Sequence, residues 1–166
     1  MRRHATTAFR PVGCAILTVS DSRTTANDLS GSTINDLLGE AGHPVRSYEI
    51  VPDDPGAIRT AVTSAVERSD VVAIIVTGGT GIAERDVTIE SIATLWTKRL
   101  PGFGELFRLL SYAEIGAAAF LSRASAGILG GKFVVVLPGS PAACRLAMER
   151  LILPELPHVA ALLDVS

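Results

Sequence analysis

Five consecutive residues, Thr77-Gly78-Gly79-Thr80-Gly81, combine three glycines with two threonines. Glycines at this density let a backbone approach a ligand and aim successive N–H groups into one concavity suited to phosphate oxygens, and the Thr77 and Thr80 hydroxyls add donors. A tight strand-to-helix turn that needs positive φ would read the same way. The segment is neither a Walker A loop, since no Gly-Lys-Ser/Thr follows, nor a GxGxxG fingerprint. Two carboxylates, Asp53 and Asp86, stand near the predicted ends of strands, where a pair could hold Mg²⁺ together with substrate phosphates and water. Asp53 before Pro and Gly would also serve as a helix cap, and Asp86 as a partner of Arg85 or a cap on the helix after it. Gly139-Ser140-Pro141 puts a hydroxyl and free N–H groups at a helix N-terminus, where anions are favoured and ordinary capping is equally at home. Weaker candidates are Ser20 and Asp21 in Ser20-Asp21-Ser22-Arg23, Ser30 and Gly31 in Asp28-Leu29-Ser30-Gly31, and Glu105 in Phe103-Gly104-Glu105. His4, His43 and His158 are scattered, so no histidine triad or metal site is supported.

These residues need a scaffold that gathers them, and the hydrophobic pattern supplies one. Cys14 to Val19 is an apolar run. Ser30 can cap a helix with Ile34, Leu37, Leu38 and Ala41 on one face, which Gly42 ends. Val45 to Val51 is a second strand, and Asp53 or Asp54 then precedes Pro55 where an N-cap is wanted for a helix over about 56–68. Val71 to Thr77 reads as a central strand covered on both faces. This βαβαβ alternation predicts an α/β class with a mostly parallel sheet and helices on both sides. Ligands bind outside the carboxyl ends of such strands, so the loops after the first, second, third and last strands should share one rim. Further on, helices are expected at 89–98 with Thr88 as cap, at 105–113 after a break at 100–104, and at 116–122. The runs 126–129 and 133–137 flank Gly130-Gly131 as a hairpin that places one antiparallel strand in the sheet. Pro141 opens a helix to about Leu151, and Pro154 begins the last one, through Leu163. Residues 1–11 read as a loose arm and 12–166 as one domain.

Composition narrows the function classes. The 166 residues are 48% hydrophobic and 19% charged, with mean hydropathy +0.37, a globular rather than disordered profile. A net charge of −2 with no run of like charges leaves no electrostatic footprint for nucleic acid. Apolar runs are too short to span a bilayer, and the stretch after Met1-Arg2-Arg3 is too short for a signal-peptide core. Cys14 and Cys144 sit among apolar residues as small hydrophobes of a reducing compartment. The cytoplasm is the expected location.

The ordered set Thr18-Val-Ser-Asp-Ser22, Asp28-Leu-Ser-Gly31, Val51-Pro-Asp-Asp54, Thr77-Gly-Gly-Thr-Gly81, Arg85-Asp-Val-Thr88, Pro101-Gly-Phe-Gly-Glu105 and Pro138-Gly-Ser-Pro141 resembles the MoaB/MogA family of molybdenum cofactor biosynthesis proteins, related to the gephyrin G domain. The resemblance covers residues 12–163, and the stretch from Phe107 to Gly116 is more similar to the MoaB branch. One departure is Ile89, where MogA-like sequences carry proline. The resemblance implies a three-layer α/β/α fold with a mixed sheet, a homotrimer or homohexamer, and adenylylation of molybdopterin with Mg-ATP, releasing pyrophosphate. It further implies that Asp53 and Asp86 match the family's catalytic aspartates and Thr77 to Gly81 its ligand-binding loop.

The leading expectation is therefore a molybdopterin adenylyltransferase. Asp53 and Asp86 would hold Mg²⁺ and orient the nucleophile. Gly78 to Gly81, Gly139 and Ser140 would hold phosphates, with Ser20 and Asp21 in the same cleft. Two other classes remain open: a silent pterin-binding or scaffold protein of the same pathway, and a CinA-like nucleotide hydrolase. The retained acid pair argues against the first, and Thr80 with Arg85-Asp86 against the second.

Overall fold

A computed structural model describes residues 10–164. Residues 1–9 of the expected arm and the last two of the expected domain lie outside the described residues; Arg10 pairs with Asp164.

Six strands form one sheet in the order β2-β1-β3-β6-β5-β4. They are β1 (Cys14–Val19), β2 (Val45–Val51), β3 (Ala73–Thr77), β4 (Lys98–Arg99), β5 (Ser125–Leu129) and β6 (Lys132–Leu137). β2, β1, β3 and β6 are mutually parallel, whereas β5 pairs antiparallel with both β6 and β4. One strand thus runs against the rest, as the Gly130-Gly131 hairpin predicts; both glycines have positive φ.

Side-chain alternation sorts the core into two layers. Cys14, Ile16, Ala73, Ile75, Val135 and Leu137 face α1 (Leu29–Glu40), α4 (Pro101–Ile115) and the C-terminal helices, packing with Ile34, Leu38, Phe107 and Ile152. The intervening Ala15, Leu17, Ile74, Val76, Val134 and Val136 face α2 (Pro55–Glu67) and α3 (Thr88–Ala93), packing with Ile58, Val62 and Ile92. A parallel sheet apolar on both faces needs a helix layer on each, and the fold is the three-layer α/β/α arrangement.

Several local expectations are corrected. Asp28, not Ser30, caps α1, accepting from the Gly31 N–H at 3.0 Å. α3 ends at Ala93 instead of Lys98, and Thr88 is not its cap. The chain there is drawn into the sheet edge: Thr97 and Leu100 donate backbone N–H bonds to the Ile128 and Ala126 carbonyls, making β4. The break expected at 100–104 is largely the start of α4, with Pro101 in its first turn where no N–H is required. Residues 116–121 form a 3-10 helix. The two helices expected after Pro141 are one helical run: α5 (Pro141–Ala147), a π turn over Met148–Ile152 and α6 (Leu153–Leu163), with helical backbone at both junctions. The widened turn precedes Pro154, which cannot donate the next backbone bond.

Candidate active site

Strand register brings the functional loops together. Val19 lies level with Val51, Thr18 with Thr77, and Thr77 with Leu137, so the chain leaves β1, β2, β3 and β6 at one rim. The order of strands reverses between β1 and β3, which opens a crevice at that point. A cavity of about 290 Å³ fills it, lined by Ser20, Asp21, Asp53, Gly78, Gly79, Asp86 and Gly139, and also by Thr77, Asp28, Ser30, Arg23 and Arg85. Sequence analysis placed Arg23, Asp28 and Arg85 within the rim motifs but assigned them no part in the site. A cation close to a phosphate-type loop was the available signal.

Gly78 and Gly79 have φ of 98° and 63°. A Cβ on Gly78 would run into the Val19 carbonyl oxygen, and one on Gly79 would collide with the Thr88 hydroxyl and stand 3.0 Å from Asp53 Oδ1. Glycine is thus required here by both conformation and space. The turn keeps backbone, rather than side chains, against the cavity.

The loops are tied to one another beneath this surface. Asp21 Oδ1 accepts the Asp53 N–H at 3.0 Å, joining the loops after β1 and β2. Ser20 Oγ accepts from the N–H groups of Ser22 and Arg23. Ser30 Oγ donates to the Gly139 carbonyl at 2.7 Å, and Thr77 Oγ1 to the Pro138 carbonyl at 2.9 Å, so the Thr77 hydroxyl proton is engaged inside the protein and not offered to the cavity. Asp28 is buried and accepts from the Tyr48 hydroxyl at 2.5 Å; burial, and next Asp28 itself, push the Tyr48 phenol well above its usual range.

The two candidate acids are held differently. Asp54, accepting from the Ala57 N–H at 2.8 Å, caps α2, which leaves the Asp53 carboxylate free to face the cavity. Its pKa is raised, by burial first, then by the Asp21 carboxylate and more weakly by that of Asp86. A backbone bond from Asp21 and the Arg85 guanidinium pull the other way. Asp86 Oδ2 accepts the Ala83 N–H at 3.1 Å and closes a turn rather than pairing with Arg85 or capping α3. Among the described residues no cluster of three or more His, Cys, Asp or Glu could hold a metal unaided. Two carboxylates repelling each other across a polar cavity nevertheless suit Mg²⁺, whose remaining ligands are commonly phosphate oxygens and water.

Other predicted site residues do not line this cavity. Gly31 lets the start of α1 approach Tyr48, whose hydroxyl a Cβ would strike. Thr80 is buried. Gly81 lies outside the cavity, where a Cβ would come within 2.6 Å of Asp86 Oδ2. Ser140 caps α5, accepting from the Ala143 N–H. Glu105 lies in the first turns of α4 and borders a separate cavity of about 410 Å³ with Trp96, Arg108 and Phe120. Sequence reasoning missed Arg123 altogether. Its guanidinium donates to the carbonyls of Thr80 (3.0 Å), Gly81 (2.6 Å) and Asp86 (3.1 Å) and pairs with Glu90.

Comparison with known proteins agrees with this architecture. Residues 15–158 match the family described as "Probable molybdopterin binding domain". Molybdenum cofactor biosynthesis protein B of Bacillus anthracis is 52% identical over 157 residues, covering 94% of this chain and 93% of that protein. A crystal structure of a molybdenum cofactor biosynthesis protein B superposes with a TM-score of 0.93 at 50% identity, covering 96% of this chain and all of the other. The tungsten cofactor synthesizing protein MoaB of Pyrococcus furiosus superposes at 0.83 with 38% identity, covering 93% of this chain and 98% of that one. Together with the shared fold and the ordered rim motifs, these matches show that the chain belongs to the molybdopterin-binding domain family, on its molybdenum cofactor biosynthesis protein B branch.

Proposed function

We propose that this protein acts in molybdenum cofactor biosynthesis as a molybdopterin adenylyltransferase. The observation that carries the reading is the convergence of Asp53, Asp86 and the Gly78-Gly79 turn on one cavity at the reversal of strand order. A phosphate oxygen of molybdopterin attacks the α-phosphorus of ATP, the bond to the bridging oxygen toward the β-phosphate breaks, and pyrophosphate leaves with that electron pair. Such a transfer depends on positioning and charge neutralisation more than on covalent help from the protein. Asp53 and Asp86 would hold Mg²⁺, which when bound neutralises charge on the phosphates. The turn at Gly79, with Arg23 and Arg85, would meet the phosphate oxygens, the Gly78 N–H being given to the Leu137 carbonyl. The pKa of Asp53 is raised by burial first and then by the Asp21 and Asp86 carboxylates, and a cation would offset the part due to those carboxylates.

Molybdopterin and ATP are thus the small-molecule partners. We place contacts between subunits of a homotrimer or homohexamer on the exposed apolar side of α4 and the 3-10 helix after it. Other proteins of the pathway are further candidate partners, and the cytoplasm the proposed location. No helix of the described residues is long and apolar enough to cross a membrane.

The deciding experiment is incubation of the protein with molybdopterin and Mg-ATP while pyrophosphate is measured. Release that requires molybdopterin is the expected result. Molybdopterin binding without release would make the protein a silent binder, and nucleotide cleavage without molybdopterin would make it a hydrolase.

A further inference from the structure

The segment 81–86 carries Asp86 and bulges into solvent, with residues 81–85 all exposed. Its internal bonds are few: Asp86 Oδ2 accepts the Ala83 N–H, and the Asp86 N–H donates to the Ala83 carbonyl at 2.9 Å. Among the described residues, every hydrogen bond that ties 81–86 to the rest of the protein comes from one side chain, Arg123. That side chain also holds Thr80, at the root of the segment, through Nε.

We infer that Arg123 is a positioning residue for Asp86, its guanidinium gathering the carbonyls of Thr80, Gly81 and Asp86 and thereby aiming the Asp86 carboxylate into the cavity. A guanidinium is suited to this because its five N–H donors form a rigid planar fork, whereas an ammonium presents donors from a single point. Arg123 Nη2 donates directly to the carbonyl of Asp86, so the clamp grips the backbone of the residue it positions. Glu90, in the first turn of α3, supplies the counter-charge; Arg123 beside it holds its carboxyl below the usual range. The Arg123–Glu90 ion pair joins a half-buried guanidinium to an exposed carboxylate and by itself contributes little stability. Three carbonyls share this one charged donor, so both ends of the segment are tied to a single side chain. Arg123 stands between the 3-10 helix and β5, with its own carbonyl accepting from Ser125 Oγ at 2.9 Å, so its base is anchored to the sheet.

The inference rests on the reading of Asp86 as a group facing the reacting phosphates, and its test has one arm that needs no substrate. Arg85 lies inside the clamped segment and is a trypsin site. In Arg123→Gln, trypsin should cut after Arg85 at least about tenfold faster than in the wild type, followed by mass spectrometry under native conditions. Arg123→Lys should fall between the two, and Glu90→Gln should accelerate cutting only slightly, because the carbonyl bonds remain. With molybdopterin and Mg-ATP, Arg123→Gln should lose at least about tenfold in kcat while KM for molybdopterin changes less than about threefold, since the Gly78-Gly79 turn is untouched. Added guanidinium should restore part of the kcat of Arg123→Ala. An unchanged rate of cutting at Arg85 in a folded Arg123→Gln overturns the clamp, and so does faster cutting with kcat within about twofold of wild type. If the wild type releases no pyrophosphate, the proposed reaction fails, and cleavage at Arg85 alone decides whether Arg123 holds the segment.

Discussion

The rim of the sheet and the outer side of α4 are opposite kinds of surface. At the rim, four loops from distant parts of the sequence close a polar cavity whose hydroxyls and carboxylates bond largely to one another's loops. On α4 and the 3-10 helix after it, Leu109, Tyr112, Ile115 and Phe120 stand 66%, 63%, 61% and 77% exposed, with no covering element among the described residues. This row of large exposed apolar side chains is the surface proposed above for the subunit contact. Every loop named at the rim comes from this one chain. The α4 face shows what the chain alone leaves uncovered.

The comparison breaks most visibly if the rim is not catalytic. Asp86→Asn preserves shape and removes the charge facing the cavity, so pyrophosphate release should fall on the order of a hundredfold or more while the circular dichroism spectrum and melting curve stay near wild type. Near-normal turnover would strip Asp86 of its assigned part. Gly79→Val should weaken nucleotide or pterin binding at least about tenfold by calorimetry, equivalent to roughly 1.4 kcal/mol. The φ of 63° and the collision with Thr88 add a folding cost on the order of 1–3 kcal/mol, visible as a lower Tm. Unchanged affinity in a folded Gly79→Val would reduce the turn to chain reversal.

The other surface gives a smaller and separable effect. Leu109→Glu puts a charge amid the apolar side of α4, and subunit association should weaken at least about fivefold by light scattering across a dilution series. Turnover per chain should hold if each cavity is complete within one chain. A mass unaltered at every dilution would move the subunit contact elsewhere.

Much of the rim was legible in the sequence because its signals are local. Apolar runs marked β1, β3 and β6, a β-rich stretch between two prolines marked β2, and the loops that follow them stand where a parallel sheet must put its ligand. Ambiguity persisted where neighbours compete for one role: Asp53 and Asp54 suit the cap of α2 equally by type, and the fold gives it to Asp54. β4 was hidden because two residues inside a helix-like stretch gave no strand period; its cause lies in β5, where Gly127 has no Cβ to obstruct Trp96 and the Lys98 carbonyl. Arg123 was invisible for the same reason. Nothing between a 3-10 helix and a strand announces that a side chain will gather carbonyls some forty positions earlier.

The smallest expected effect concerns the charge stored in the rim. Asp53 has its pKa raised by burial, by Asp21 and by Asp86, so the folded state resists its ionisation more than the unfolded chain does. Folding stability is therefore lowered as pH rises from the unfolded carboxyl pKa through the raised folded one, and the cost is complete above the latter. Below both values the carboxyl is protonated in both states and the cost disappears. Asp53→Asn removes the charge and leaves the N–H that Asp21 accepts, so Tm at pH 7 should rise slightly above wild type, on the order of 1 °C, and the two melting curves should converge as pH falls below the usual carboxyl range. The same variant should lose pyrophosphate release, whereas a residue serving only as a helix cap would keep it, because asparagine caps about as well as aspartate. A gain in stability paired with a loss of turnover is the mark of a group kept under repulsion for chemistry. Asp53→Asn melting below wild type at pH 7 would show instead that the carboxylate makes a favourable contact in the folded protein, and the electrostatic tension assigned to the rim would have to be withdrawn.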